Sequence, residues 1–351
     1  MAGKRLWQVV GGLSIGLAGA TALAGWLFWQ RGFTPVGLSS DGDSKIRVEI
    51  ETGSTVRQIG RELEDAGAIR SATAWELWMR WANLEPKVGI YDLDPRWNVP
   101  RIADQLHSGR VVEIPFTIPE GWRIQQMAEY FERLGWFSAA DFVAATRKNY
   151  RAEFPWLPPH LPTLEGWLFP DTYQLPLDRQ TPEAVVQIML QRFAQAALPL
   201  YPTTPTASSS QTLSMKEWVT LASIVEKEAV VAEERPEIAG VFRNRLRLGM
   251  TLGADPTVEY GLNIRQTADR PLTYAEVQTP SPYNTYLNPG LPPTPIASPG
   301  LSSLEAALAP ADTPYLYFVA RYDGSHVFSE TLGEHLAAQT QIRKSPDPSS
   351  R

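Results

Sequence analysis

The feature that most constrains this chain is an internal repeat. "IRVEIETGSTVRQIGRELEDAGAI" (46–69) aligns without gaps to "IPFTIPEGWRIQQMAEYFERLGWF" (114–137), each position 68 residues on. Ile46, Val48 and Ile50, and their counterparts Ile114, Phe116 and Ile118, alternate as a half-buried strand should. Gly53 and Gly121 fall in a turn. Val56, Ile59 and Leu63 match Ile124, Met127 and Phe131 at helical spacing, and Gly67 and Gly135 stand where helix C-caps belong. Each copy therefore predicts strand, turn and helix. "VGIYDLDPRWNVPRIADQLHSG" between them predicts a turn and a shorter helix, with Asn98 as its cap. Modules of this kind resemble the LysM carbohydrate-binding module. A spacer that only packs and positions is the alternative.

Ahead of the repeat, Leu6 to Trp29 is a run of 24 residues without a charge. About 20 such residues span a bilayer as a helix. Trp7 stands at one end and Trp26 and Trp29 at the other, where indoles favour the interface. Lys4 and Arg5 precede the run and predict a cytoplasmic N-terminus with the body exported. We therefore expect a single-pass anchor (1–31) in a bacterial inner membrane, contacting lipid through Leu6 to Trp29, and a polar tether (32–44). A cleaved signal peptide ending near Ala22-Leu23-Ala24 is the rival, but it would leave "GWLFWQ" on the mature end.

After the repeat, a proline-rich stretch (154–176) reads as a separator, and helix follows at 182–197 with Pro182 near its start. "TTPTASSSQTLS" (203–214) is low in complexity and exposed. Ser214 and Glu217 form a capping-box pattern for a helix that runs to the acids of "ASIVEKE" (222–228), and Pro236 opens another that ends at Gly249. "YLYFVA" and "HVFS" flank "RYDGS" as a hairpin, and a last helix covers 331–344. The expected fold class is α+β: an N-terminal transmembrane helix, a LysM-like strand–helix region (45–150), a helix-rich domain with a small sheet (151–345) and a disordered tail (346–351).

Composition excludes several chemistries. A net charge of −6 argues against nucleic acid as a partner. The absence of cysteine removes disulfides and thiol nucleophiles, and the 4 histidines lack metal-ligand spacing, so no metal or cofactor is expected. No nucleophile elbow, phosphate loop or dinucleotide fingerprint occurs. On a helical wheel from Ser214, Trp218, Leu221, Ala222, Val225 and Ala229 make one apolar stripe. Lys227 points away, Glu228 lies at one edge and Glu226 at the other, beside Val219. A carboxyl half buried there keeps its proton more readily and can act as a general acid. A solvated helix end is the plain alternative.

Five runs carry a resemblance. "EGWLFPDTY" (165–173), "ASIVEKE" (222–228), "VFRNRLRLGMTLGADPTVEYG" (241–261), "SPYNTYLNPGLPPTPIASPG" (281–300) and "TPYLYFVA" (313–320) resemble, in order, the blocks of the endolytic murein transglycosylases, the MltG/YceG-like family. The resemblance implies non-hydrolytic cleavage of the MurNAc-β-1,4-GlcNAc bond within nascent glycan strands, leaving 1,6-anhydroMurNAc ends. It implies peptidoglycan as the partner, with work beside peptidoglycan synthases. It makes the second Glu of E-K-E, Glu228, the catalytic residue. Other blocks suggest residues that position the sugar: Asn284, Tyr283 and Tyr286; Asp255 and Thr257; Glu165 and Asp171. Each has a structural alternative, such as a turn for Asp255, a cap for Asp171 and core packing for Tyr283. Arg243, Arg245 and Arg247 could meet stem-peptide carboxylates or be solvated, and "GLPPTPIASPG" reads as a rigid wall. Gly253 and Ala254 stand where relatives commonly carry a polar pair. Two rival functions remain: a non-catalytic peptidoglycan-binding scaffold, and a two-carboxylate muramidase pairing Glu228 with Glu226 or Asp255.

Overall fold

A computed structural model describes residues 23, 25–27, 29–37, 45–202, 213–267 and 270–344. Most of the expected anchor and tether, the low-complexity stretch up to residue 212 and the tail lie outside the described residues. Among the described residues no helix is long and apolar enough to cross a membrane. The rest is a mixed α and β structure of helices and two-stranded sheets, in two compact units.

The first unit comprises residues up to 115 together with 174–179. It contains β1 (Ile46–Ile50), α1 (Val56–Asp65), α2 (Ala72–Ala82), β2 (Gly89–Leu93) and α3 (Val99–Ser108). β1 pairs antiparallel with β2, Val48 opposite Tyr91. Alternation puts Val48 and Ile50 inward, onto a core with Ile59, Leu63, Trp75, Met79, Tyr91 and Leu106. Thr55 and Gln58 close a capping box on α1, and Asn98 caps α3 through the Arg101 amide, as its position predicts. Residues 25–27 and 29–33 are helical, and Phe33 joins this core.

The second copy of the repeat forms β3 (Glu113–Thr117) and α4 (Ile124–Arg133), followed by α5 (Ala139–Ala145) and β4 (Thr172–Pro176), which pairs with β3. Both copies follow strand–helix–helix–strand order, so the duplication runs further than the aligned residues. Gly53 and Gly121 both adopt positive φ (87° and 71°), as do Gly67 and Gly135 (74° and 73°), which is why glycine recurs at both places. The division nevertheless falls at 115/116, whereas the sequence pattern suggests 150/151. The proline-rich stretch, up to residue 173, falls within the second unit. Its aromatic side chains pack there: Trp167 is fully buried, and Trp156 stacks on Phe193 at 5.2 Å.

The second unit (116–173 and 180–351) adds α6 (Pro182–Ala196), α7 (Met215–Glu228), α8 (Arg235–Arg247), α9 (Asp255–Leu262), α10 (Tyr274–Val277), α11 (Leu301–Leu308), the hairpin β5 (Tyr317–Ala320) and β6 (His326–Ser329), and α12 (Leu332–Lys344). α7 packs against α8, α9 and α11. Every residue from Trp218 to Val225 is buried, so α7 is a central helix rather than the one-striped helix of the wheel. The polar side chains this buries are satisfied locally: Thr220 donates to the Lys216 carbonyl, and Ser223 to that of Thr220. The Trp218 indole donates to the Leu304 carbonyl of α11. The proline-rich segment 294–300 is buried and runs as a strap across the unit's interior. Its Ile296 amide bonds Ser223, and Ser298 exchanges backbone bonds with Gly121 and Trp122.

Candidate active site

Glu228 is the last residue of α7 and is partly buried. Its carboxyl makes no hydrogen bond or ion pair among the described residues. Burial pushes it up to about 8; the charges of Asp255 and Glu259 push the same way, and Arg245 opposes them. The C-terminal end of a helix also disfavours a carboxylate, because the helix dipole is negative there. Every local feature except Arg245 thus favours the protonated acid.

The groups around Glu228 come from four chain segments. Asp255 opens α9, with Pro256 in its first turn. It accepts a 2.6 Å hydrogen bond from the Tyr286 hydroxyl. Burial raises the Tyr286 phenol, and the hydrogen bond to Asp255 and that residue's charge raise it further. The Tyr286 ring remains 37% exposed, which leaves it free to meet a ligand. Arg245, on α8, spends its donors on the carbonyls of Leu316 and Leu252 and lies over the Tyr317 ring. Arg245 is partly buried, and these internal bonds hold its guanidinium in place. Arg243 donates to the Ala311 carbonyl.

Glu259, one turn after Asp255 on α9, is 7% exposed. It accepts from the Gln266 amide and faces the Arg123 guanidinium at 3.6 Å. Arg123 in turn lies over the Tyr260 ring, whose hydroxyl donates to Glu165. Glu165 is buried, accepts from the Ile124 amide at 3.0 Å, and is pushed up to about 7, chiefly by burial. A continuous polar network thus leads from Glu165 through Tyr260 and Arg123 to Glu259 beside Glu228. The sequence reading passed over Arg123, Glu259 and Tyr260. Glu259 and Tyr260 lie within the run 241–261, and Arg123 occupies the cap position equivalent to Thr55.

The other expected sugar-positioning residues serve the loops. Asn284 is 1% exposed; its amide donates to the carbonyls of Val277 and Thr279 and accepts from the Tyr286 amide. Thr257 is fully buried and bonds Ala254 and Thr285. The Tyr283 hydroxyl meets Thr294 at 2.9 Å. Asp171 pairs with Arg192 at 2.5 Å and accepts from the Thr172 amide. Of the seven, Tyr286 and Asp255 therefore share the neighbourhood of Glu228 and Glu165 reaches it through the network; Asn284, Thr257 and Tyr283 brace the surrounding loops, and Asp171 pairs with Arg192 of α6. Glu226 turns the other way. Its carboxylate accepts from the Gly300 amide and the Ser303 hydroxyl at the start of α11.

An endolytic murein transglycosylase of Bacillus subtilis is 31% identical over 316 residues, covering 86% of either chain. One from Streptococcus pneumoniae serotype 2 is 32% identical over 315 residues, and the chain spans 56% of that longer protein. The crystal structure of a yceG-like protein from Listeria monocytogenes is 33% identical, with a TM-score of 0.55 over 84% of this chain and 99% of the other. The match to the YceG-like family runs over residues 48–341, from β1 through α12 and across both copies of the repeat, so this chain belongs to the YceG-like family.

Proposed function

We propose that the chain is a membrane-anchored endolytic peptidoglycan transglycosylase, a lyase that cuts the MurNAc-β-1,4-GlcNAc bond within nascent strands and so limits their elongation. The observation that carries this reading is the unpaired carboxyl of Glu228, held protonated near neutral pH at the end of a buried helix and beside an exposed tyrosine. The relatives' names supply the reaction class.

One carboxyl group can serve both halves of this reaction. Glu228 donates its proton to the departing glycosidic oxygen as the C1–O bond breaks. As a carboxylate it then removes the proton from the muramyl 6-hydroxyl, whose oxygen closes on C1. The carboxyl ends as it began, and no water is consumed. This differs from hydrolysis by two opposed carboxylates. The Tyr286 ring offers a face for a sugar, and Asp255 fixes its hydroxyl.

The anchor, the cytoplasmic N-terminus and the exported body are part of the proposal and rest on the apolar run and its flanking charges. The LysM-like reading of the first unit is supported by its strand–helix–helix–strand order. Work beside a synthase follows from the family resemblance alone.

Digestion of purified glycan strands, with mass analysis of the ends, tests the proposal. Anhydro ends, lighter by one water than reducing ends, are expected, together with loss of cutting in Glu228→Gln. Reducing ends would establish the muramidase alternative. Glycan binding without cutting by the native chain would establish the scaffold.

A further inference from the structure

An aromatic ladder runs across the first unit and has no role in the proposed chemistry. Trp29 lies against Phe33 at 4.1 Å, Phe33 against Trp78 at 6.0 Å, and Trp78 against Trp81 at 5.0 Å. Its outer end is open: Trp81 is 77% exposed, and Leu77, one turn earlier on α2 and so on the same face, is 51% exposed. Its other end belongs to the helical residues that continue the uncharged run from Leu6, where Trp26 and Trp29 are each 55% exposed. Water-exposed indoles on two adjoining helices are costly to a soluble face. They suit the polar–apolar boundary of a bilayer, where the ring is buried and the N–H stays wet.

Charge on the same part of the unit agrees. Arg31 and Arg70 line one open recess with Leu27 and Thr34. Neither makes an ion pair among the described residues; Arg70 donates only to the carbonyls of Pro35 and Val36. Two cations beside an apolar ridge match lipid phosphates above acyl chains.

The geometry points to a second membrane contact: the face of the first unit carrying Leu77 and Trp81, with Trp78 packed behind them, rests in the lipid interface beside the anchor, with Arg31 and Arg70 toward the phosphates. This deepens the anchored reading and depends on it. It also means that the anchor does not end in a free tether: Phe33 is buried in the core of the unit, so the chain leaving the membrane is fixed to the module that follows.

The chain has no cysteine, so a single introduced thiol can be labelled cleanly. The full-length protein, with Trp81→Cys carrying an environment-sensitive fluorophore, is reconstituted into phosphatidylethanolamine–phosphatidylglycerol vesicles containing lipids spin-labelled at the headgroup or shallow in the acyl chain. Glu49→Cys is the control, because Glu49 is exposed on the sheet face opposite Val48 and Ile50. The expected result is strong quenching at 81 and little at 49. Vesicle flotation reads the anchor separately. A protein that floats while 81 is quenched no more than 49 overturns the docking and leaves the anchor standing. A protein that does not float overturns both. If the label at 81 responds to soluble glycan strands and not to the spin-labelled lipids, the face is a sugar platform and the lipid assignment is wrong.

Discussion

At Glu228, burial, two neighbouring carboxylates and a helix C-terminus act in one direction on one proton. Because the first chemical half needs the protonated form, activity should hold through neutrality and fall with an apparent pKa about 8 as pH rises. Asp255→Asn removes one of the charges that raise Glu228, so the alkaline limb of its pH–rate profile should move to lower pH. An unmoved limb would show that Asp255 does not act on this proton. Glu228→Gln should cost at least ~10²–10⁴-fold in cutting rate, because the same group acts as acid and then as base. It should also stabilise the fold. A carboxyl raised in the folded state is neutral in both states below about pH 4. Above that the unfolded chain ionises first, so the native state loses stability as pH climbs toward about 8. The Gln variant escapes this penalty and should gain roughly 1–3 kcal/mol at pH 7 and almost nothing at pH 4; paired thermal melts at the two pH values read the difference.

At the level of elements, α7 feeds two different jobs from residues two apart. Glu228 is left unpaired at its end, while Glu226 accepts from Gly300 and Ser303 and so caps the start of α11. Glu226→Ala should therefore cost about 1–2 kcal/mol in stability and retain lyase activity in the folded fraction; abolished cutting in a folded variant would revive the carboxylate pair. Gly166 is a second test of element packing. It holds φ at +85°, and a Cβ there would stand 2.3 Å from Pro295 Cβ, so the buried strap leaves no room. Gly166→Ala should lower stability by about 2 kcal/mol or more, from backbone strain and overpacking together, readable as a shifted denaturant midpoint. Periodicity made some of these elements legible. The capping box at Ser214 and Glu217, the Pro182 helix start and the hairpin around Gly324 all follow from local chemistry. β2 and β4 escaped the sequence reading, because five-residue strands inside Pro- and Asp-rich text carry little alternation. At the site, the wheel and the family run single out Glu228, which the structure places as the last residue of α7. The loop contacts of Asn284 and Thr257 are not readable from sequence, since an amide or hydroxyl that braces a loop and one that meets a sugar look alike until their partners are known.

On the scale of the whole molecule, the duplicated strand–helix–helix–strand pattern has been divided unequally. The first copy closes on itself, β1 with β2, around its own core. In the second, the stretch between α5 and β4 carries the "EGWLFPDTY" block, and its hydrophobic partners lie in the transglycosylase-like unit. Phe116 stacks on Tyr173 at 4.9 Å, Phe131 packs on Trp136 and Phe142, and the buried Trp167 meets Phe193 of α6. This makes the two candidate boundaries experimentally distinct. A fragment of residues 45–115 keeps β1, β2 and all three helices of the first core, and at 71 residues it is in the range that can fold alone. It loses Phe33 from that core, the Pro35 and Val36 carbonyls that Arg70 donates to, and residues 174–179 with the Leu177 amide bond to the Val112 carbonyl. A fragment of 45–150 follows the boundary suggested by the proline-rich stretch, but it strands β3 without β4 and exposes Phe116, Phe131 and Phe142, all buried in the intact chain. The shorter fragment should melt cooperatively, with dispersed amide resonances. The longer one should show the same transition plus an appended segment that is unprotected from amide exchange and prone to associate through its unpaired strand. Full exchange protection of residues 116–145 in the longer fragment would show that the second copy folds without β4, and that the boundary belongs where the sequence alone puts it.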